Sequence, residues 1–558
     1  MTDLLVQDTT TTSISSLFRD KKILLVDDQR SFQVLMKAML INIGFNKVTI
    51  LGSAEETRRR CQKEEFDIYL LDYNLGMGEN GRQLLEYLRE QHLLPPESIV
   101  FIISGDNSRA MVLSALESEP DGYMMKPFSQ EQLRQRLQRA LQRKQELKGI
   151  FIALEKEDFA AVIAQCQPVI DSGSKYATFC RCLMAEMHVR LDDPIAARAV
   201  LREGLASSES SWLRLGLGKV CHLLGQYEDA IAHLHTALRL RPLMVVAYRW
   251  LSAAQLASNN PQDALDTLSR ATEISPQSGM LHRQLAEMAL AQGDYLRARD
   301  STATMLDLNR YDHAKNAQLL GSHIHCLILY AMNSSDPYHI GNLQKQVGNA
   351  LSRCRQTLVE SEFDFVTFEQ ICQARVQVAR GEVVRGKKML YKAIQPYQSE
   401  PATMAAPLLS NMVLGLAQLG EYEYAEQLQP LLRQQENVEP LLLTCVRTTF
   451  DDKAQQERQQ KYRELNEQGI KAYTQGRIEE ALGCFREALR RAPANTNAAI
   501  NKAQALLQLT KSHGKPQPEL LNECKSTLAL LDGVQLNPTQ LERLRKLQED
   551  LQAQKSRP

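Results

Sequence analysis

The sequence predicts a doubly wound α/β domain with a five-stranded parallel sheet, followed by an all-α solenoid of stacked helix pairs. Over residues 22–143, short apolar runs alternate with helical patterns, as is typical of a parallel sheet covered on both faces. Beyond residue 176 the sequence repeats with a period of about 34 residues, the length of a helix pair that must stack to bury its apolar face. The chain has 2 Trp, 27 Gly and 20 Pro in 558 residues, and this composition favours helices over many short strands.

Each predicted strand is a short apolar run with a helical pattern after it, which gives five strands and five helices. The strands are residues 23–26, 47–51, 67–71, 98–103 and 122–125. In open α/β sheets the ligand site lies outside the carboxyl ends of the strands. Five polar residues occupy these ends: Asp27, Asp28, Asp72, Ser104 and Lys126. We therefore expect their side chains to converge on one edge of the sheet.

Three carboxylates at one edge repel each other, and a hard divalent cation with oxygen ligands relieves that repulsion. Mg²⁺ is therefore the predicted cofactor at Asp27, Asp28 and Asp72. The alternative is that acidic residues at strand ends serve as turn formers and helix caps. The convergence of five polar groups favours the metal site.

Charge and targeting signals narrow the class of protein. The 66 Lys and Arg balance 66 Asp and Glu, so no overall basic field exists to hold nucleic acid. Residues 1–20 have a Thr/Ser run with no basic start, unlike a secretory signal, and are predicted to be disordered. No apolar segment approaches the roughly 20 residues that span a bilayer. Eleven scattered Cys, with Cys180 and Cys182 on different helix faces, argue against zinc and disulfides and favour the cytoplasm.

Four motifs within residues 21–145 resemble the receiver domain of bacterial response regulators, which has a flavodoxin-like fold. They are VDDQ at 26–29, LLDYN at 70–74, IISG at 102–105 and GYMMKP at 122–127. The resemblance implies that Asp72 accepts phosphate from a sensor histidine kinase or a histidine phosphotransfer protein. It also implies that Asp28, Asp72 and the backbone carbonyl of Asn74 bind Mg²⁺ directly, while Asp27 holds it through water.

The chemistry of phosphoryl transfer agrees with these roles. A carboxylate is a poor nucleophile toward a phosphoryl group unless cations neutralise the incoming charge, and Mg²⁺ with Lys126 would do so. Ser104 is then expected to hydrogen-bond a phosphoryl oxygen and let Tyr123 turn inward. Tyr123 could instead be an ordinary strand aromatic.

The sequence departs from the family pattern in the loop after the phosphoacceptor strand. Gly76 stands where the family has Pro, and the glycine that follows in the family pattern corresponds to Gly81, one residue later than usual. We therefore predict a longer and more flexible loop at 75–80, which affects the lifetime of the acyl phosphate.

The helical region resembles the tetratricopeptide repeat. Small and turn-forming residues recur at fixed positions: Ala196, Ala230, Ala264 and Ala298 in one register, and Gly225, Asn259 and Gly293 in another. The clearest copies are residues 211–243 and 465–493. We predict repeats over 146–310 and 456–510, degenerate repeats over 311–455, and capping helices over 511–558. Residues 129–148 contain no Gly or Pro, which predicts that the last receiver helix runs straight into the repeats.

Such solenoids bind peptides or helices in a groove. Arg181, Arg249 and Arg283 occupy one equivalent position, with Leu215 as the exception, and we predict a basic stripe for an acidic protein or peptide. The alternative is that they are ordinary solvated arginines. His313, His323 and His325 are interpreted as surface or core histidines, since the last two lie off a common helical face.

These observations predict a cytoplasmic, non-enzymatic response regulator whose phosphorylation at Asp72 modulates protein binding by the repeats. One alternative is a constitutive scaffold or phosphate sink. A nucleic-acid-binding transcription regulator is disfavoured by the balanced charge. Receiver helices and solenoid ends also offer surfaces for a homodimer.

Overall fold

The computed structural model describes residues 18–76, 80–95, 97–106, 120–310, 312–359, 363–512, 517–534 and 536–555. The chain forms two compact units, Met1–Leu281 and His282–Pro558. The predicted disordered segment lies, up to residue 17, outside the described residues. The predicted helix between the fourth and fifth strands falls on 107–119, which are also outside them.

The predicted parallel sheet is confirmed, with strand order β2-β1-β3-β4-β5. Its strands are β1 (Lys22–Val26), β2 (Lys47–Leu51), β3 (Ile68–Asp72), β4 (Ile99–Ser104) and β5 (Gly122–Met125). Every neighbouring pair is parallel, so all carboxyl ends meet at one edge. The sequence had placed each strand within about one residue of its observed bounds.

Helices cover both faces of this sheet, because alternate residues of each strand point to opposite sides. Those described are α1 (Arg30–Ile43), α2 (Ala54–Cys61), α3 (Gly81–Glu90) and α4 (Gln130–Glu146). Ile23 and Leu25 of β1 face a core shared with α1 and α4. Leu24 and Val26 face a second core shared with α2 and α3.

The remaining described elements are helical. Within the first unit they are α5 (Lys148–Glu155), α6 (Phe159–Asp171), α7 (Ala177–Arg190), α8 (Pro194–Ser207), α9 (Ser211–Leu223), α10 (Tyr227–Leu240), α11 (Val245–Ala257) and α12 (Pro261–Ile274). α13 (Gly279–Gln292) crosses the boundary between the units. The second unit continues with α14 (Tyr295–Leu308), α15 (His313–Asn333), α16 (Pro337–Val359), α17 (Phe365–Ala379), α18 (Val383–Ile394), α19 (Ala406–Leu419), α20 (Tyr422–Arg433), α21 (Pro440–Asp451), α22 (Lys453–Thr474), α23 (Ile478–Arg491), α24 (Thr496–Ser512), α25 (Pro518–Leu528) and α26 (Pro538–Lys555).

The turn inside each helix pair explains the recurring Gly and Asn. Gly225, Asn259 and Gly293 have φ of 74°, 62° and 76°, a left-handed conformation that Gly and Asn adopt most readily. Three residues into the following helices, Ala230, Ala264 and Ala298 are fully buried where two helices cross closely.

The first turn corrects the predicted register by one residue. In the turn between α7 and α8, Asp192 has the left-handed conformation, with φ of 60°. It lies one residue closer to Gly225 than the 34-residue period predicts. Ala197 is therefore fully buried at the crossing, whereas Ala196 is only half-buried.

The junction between sheet domain and repeats differs slightly from the prediction. α4 ends at Glu146, and Leu147 caps both α4 and α5, with φ of −101° and ψ of 13°. Leu147 itself is buried against Ile150 and Val162 of the first repeat helices. The helix is thus interrupted at this one residue, and the side chain of that residue is part of the repeat core.

In the second unit, α15, α17 and α19 contact one another, and we call them the inner helices. α21 packs across α15 and α19, whereas α22 pairs with α23. α21 thus lies on the inner helices without forming a regular helix pair with its neighbours in sequence.

Candidate functional site

Three carboxylates meet at the carboxyl edge of the sheet. Asp27 and Asp72 are buried and Asp28 is exposed. One oxygen of each lies within 4.8 Å of the others. The parallel register produces this cluster, because β1 and β3 are adjacent and end side by side.

Lys126 closes the cluster from the end of β5. Its Nζ lies 2.7 Å from Oδ2 of Asp27 and 3.2 Å from Oδ2 of Asp72. The ammonium also lies 3.8 Å from the centre of the Phe32 ring, a favourable position for a cation. One ammonium therefore compensates two buried carboxylates, and the third carboxylate faces solvent.

The electrostatics of the cluster show a deficit of positive charge. Burial raises the pKa of Asp72 to about 6, Lys126 lowers it, and Asp27 and Asp28 raise it further. A divalent cation held by oxygen ligands would relieve both the repulsion and the burial cost. The residues present fit Mg²⁺, as predicted for Asp27, Asp28 and Asp72.

Asn74 lies two residues beyond the end of β3, and its side chain is exposed. The resemblance implies that its backbone carbonyl, rather than its side chain, contributes to a site at Asp72. Its role as a ligand stays a prediction.

Ser104 and Tyr123 share a partner beside this cluster. The Asp106 backbone N–H donates to Oγ of Ser104 at 3.1 Å, and the Tyr123 hydroxyl donates to the Asp106 carbonyl at 3.2 Å. Burial raises the pKa of Tyr123, which therefore remains a neutral donor. The two predicted switch residues are thus linked through the first turn after β4.

Gly76 approaches the exposed carboxylate of the cluster. It has φ of 79°, and a Cβ at this position would lie 3.0 Å from Oδ2 of Asp28. The positive φ favours glycine here, and a Cβ would also crowd the terminal oxygen of the exposed Asp28 side chain. Residues 77–79 of the predicted longer loop lie outside the described residues.

Gly76→Pro is expected to weaken Mg²⁺ binding about tenfold, because proline fixes φ near −65° and the native φ is of opposite sign. The affinity is measured by isothermal titration with MgCl₂. Gly105→Ala is the matched control, since a Cβ there contacts nothing within 4 Å. Tighter binding by the proline variant, as the family pattern suggests, would contradict this account.

One residue of the site was missed by the sequence interpretation. Tyr73, directly after Asp72, is buried, and its hydroxyl donates to Oε1 of Gln277 at 3.2 Å. Gln277 lies in the link between α12 and α13 of the repeats. No motif signals this contact, because it depends on the path of the repeats back to the sheet edge.

The three predicted groove arginines are all half-buried. The Cδ of Arg181 lies beside Gly204 of the next helix, and Nη1 of Arg283 lies 3.6 Å from Oε1 of Glu439. Arg249 also has an interaction partner. Their role in binding an acidic partner stays a prediction.

The histidines are held by ordinary side-chain partners. Nδ1 of His323 lies 2.9 Å from Oγ1 of Thr302, and Nδ1 of His325 lies 2.9 Å from Nη2 of Arg375. Burial lowers the pKa of His323 to about 4, so it is neutral at physiological pH. The side chain of His313 lies outside the described ones. In the part of the chain that the structure describes, the grouping with metal-ligand geometry is the aspartate cluster.

Among the described helices, none has the length and apolar character needed to cross a membrane.

Comparison with known families agrees with this geometry. Residues 23–138 match the response regulator receiver domain, and residues 179–203, 223–288 and 466–513 match the tetratricopeptide repeat. The chemotaxis protein CheY-3 of Vibrio cholerae is 28% identical over 127 residues, which are 23% of this chain and 96% of that protein. The alkaline phosphatase synthesis transcriptional regulatory protein PhoP of Bacillus subtilis is 33% identical over 124 residues, 22% of this chain and 50% of that protein.

A solved receiver domain protein of Methanospirillum hungatei, described as CheY-like, is 26% identical and covers 23% of this chain and 97% of its own, with a TM-score of 0.21.

Proposed function

We propose that this chain, which joins a response regulator receiver domain to tetratricopeptide repeats, is a phosphorylation-controlled protein-binding module. A sensor histidine kinase or a histidine phosphotransfer protein donates phosphate to Asp72, and the modification alters what the repeats bind. In this proposal the chain acts in the cytoplasm and carries a signal rather than turning over a substrate.

The residues of the sheet edge support the chemical step. One carboxylate oxygen of Asp72 attacks the phosphorus of a phosphohistidine; the new O–P bond forms as the N–P bond breaks, and the imidazole leaves. Lys126 neutralises charge that develops on the phosphoryl oxygens, and the Ser104 hydroxyl donates to one of them. Asp27, Asp28 and Asp72 would hold Mg²⁺, which would supply the remaining positive charge.

The hydrogen bond between Tyr73 and Gln277 is the observation that carries the proposed output. It joins the residue after the phosphoacceptor to the repeats, within one compact unit. The acyl phosphate carries about 1.5 to 2 negative charges and replaces the single charge of the ionised carboxylate, so phosphorylation adds up to about one negative charge at the residue before Tyr73. A change in the conformation of Tyr73 would therefore reach the link between α12 and α13 directly.

The first test is the intact mass of the full chain after incubation with MgCl₂ and acetyl phosphate. We expect a single phosphoryl adduct on the wild type and none on Asp72→Asn or in excess EDTA. An adduct that persists on Asp72→Asn would show that another residue accepts the phosphate.

The second test concerns coupling. Hydrogen exchange of residues 275–278 is expected to change on phosphorylation of the wild type and to change much less in Tyr73→Phe, which keeps the ring and removes the donor. Equal exchange with and without phosphate in the wild type would favour the alternative of a constitutive scaffold or phosphate sink.

A further inference from the structure

The inner surface of the second unit is covered by a segment of the same chain. α21 lies across the inner helices α15 and α19 and buries Leu441, Leu442, Thr444, Cys445 and Val446. Arg447 and Asp451 are exposed. α21 is therefore an amphipathic helix seated on the inner helices, the arrangement of a helix bound in a groove.

The backbone ahead of α21 is held as a bound peptide is held. The side-chain amide of Gln318 on α15 donates to the carbonyl of Asn437 at 3.1 Å and accepts from the N–H of Glu439 at 2.6 Å. One side-chain amide thus bonds both an N–H and a carbonyl of the segment's main chain. Any peptide in this position could offer the same two groups.

A charge contact accompanies this backbone contact. Glu439 is buried, and its Oε1 lies 3.6 Å from Nη1 of Arg283 on α13, beyond hydrogen-bond distance. Within the described residues, that oxygen accepts no hydrogen bond. A carboxylate that approached Arg283 more closely would bind it more strongly than Glu439 does.

The surface beneath α21 contains buried polar side chains as well as apolar ones. Arg375 on α17 is fully buried and donates to neutral acceptors: Gln418, Asn411 and His325. The other ring nitrogen of His325 lies 3.4 Å from Oγ1 of Thr449 on α21, and Cys326 and Cys445 are both fully buried. Both polar and apolar side chains face α21. The polar ones give this surface a specific pattern of hydrogen-bond donors and acceptors.

We propose that residues 435–451 are a built-in ligand of the inner helices, and that the partner of this surface is an amphipathic helix of the same kind. Such a partner carries a carboxylate just ahead of its first turn to meet Arg283. Adjacent leucine-like residues follow it, with another apolar residue one turn later. The proposal deepens the protein-binding output proposed above and rests on it, because α21 must leave the surface before the partner can dock.

The test uses the full chain and a fluorescent synthetic peptide of residues 435–451, with Ser at the Cys445 position, followed by fluorescence anisotropy. The wild type is expected to bind it weakly, since the tethered segment competes at high effective concentration. Glu439→Arg places like charges together, so peptide affinity should rise at least about tenfold. Arg283→Glu combined with Glu439→Arg restores an opposite pair within the chain, and binding should become weak again.

Equal peptide affinity of all three folded chains would overturn the proposal. Thermal unfolding by circular dichroism establishes that each variant is folded. Phosphorylation of Asp72 is measured separately by intact mass. A chain that takes up phosphate but shows no difference in peptide affinity among the three variants would overturn this inference and leave the proposed phosphorylation standing.

Hydrogen exchange of the wild type decides the matter if Glu439→Arg does not fold. A displaceable helix opens without global unfolding, so α21 amides should exchange at least about tenfold faster than those of α19. Equal protection of the two helices would mean that α21 is an integral part of the core and would overturn the proposal.

Discussion

Glu421→Ala is expected to lower the free energy of unfolding of the second unit by about 3 to 5 kcal/mol, because it leaves a buried ammonium uncompensated. Lys387 on α18 is almost fully buried, and its Nζ lies 2.7 Å from Oε1 of Glu421 and 2.9 Å from Oγ1 of Thr496. Burial lowers the pKa of Lys387, and Glu421 opposes that shift. This ion pair joins α18 to the start of α20 and the start of α24, so its loss affects three elements.

The measurement is urea unfolding of the full chain at pH 7, followed by circular dichroism. The double variant Lys387→Met with Glu421→Leu removes both charges together and should recover part of the loss. The recovery is incomplete because the Ala494 carbonyl and the Thr496 N–H lose their buried partners. Glu542→Ala breaks the exposed pair with Lys546 and should leave the stability unchanged within error. A loss below about 1 kcal/mol for Glu421→Ala would show that water reaches Lys387.

The second large effect is a pH dependence at Asp72. Metal binding requires the carboxylate, and burial raises the pKa of Asp72 to about 6. Protons therefore compete with Mg²⁺ below this value, and the apparent affinity should fall about tenfold between pH 7 and pH 5. Titration calorimetry at several pH values measures this change. Lys126→Met should move the fall to higher pH, since Lys126 lowers the pKa of Asp72.

The same shift has the opposite sign for the stability of the metal-free chain. The folded pKa lies above the roughly 3.9 of an unfolded Asp, so the folded state binds the proton more tightly. The contribution of Asp72 to the free energy of unfolding therefore rises by about 2 kcal/mol as the pH falls from 7 to 4. This contribution is lowest when Asp72 is ionised. Asp72→Asn should abolish this part of the pH dependence and stabilise the metal-free chain at pH 7. A destabilised Asp72→Asn would contradict the raised pKa.

Much of the first domain could be predicted from sequence because its signals are local. Each strand is a short apolar run, and the parallel order brings the strand ends together, so the positions of Asp27, Asp72 and Lys126 follow from the fold alone. The turn residues of the repeats are equally local, since a left-handed φ selects Gly or Asn at Gly225 and Asn259.

Contacts between distant segments could not be predicted in this way. The hydrogen bond of Tyr73 to Gln277 depends on how several helix pairs stack, and small changes at each turn accumulate along them. The one-residue shift at Asp192 could not be predicted for a related reason. The 34-residue spacing of the later repeats does not determine the position of the turn in the first repeat. The position of α21 was also beyond reach, since its apolar face resembles that of any repeat helix.

The buried Leu147 and the bond between Tyr73 and Gln277 attach the receiver to the repeats at two separate points. The helices from α5 to α12 lie between these two attachment points. The receiver and these helices are therefore connected at both ends. A domain tied at one point can swing without deforming its neighbour; a domain tied at two cannot. A displacement of Tyr73 must therefore either break one of these two contacts or bend the stack of helices between them. The bent stack would store elastic energy.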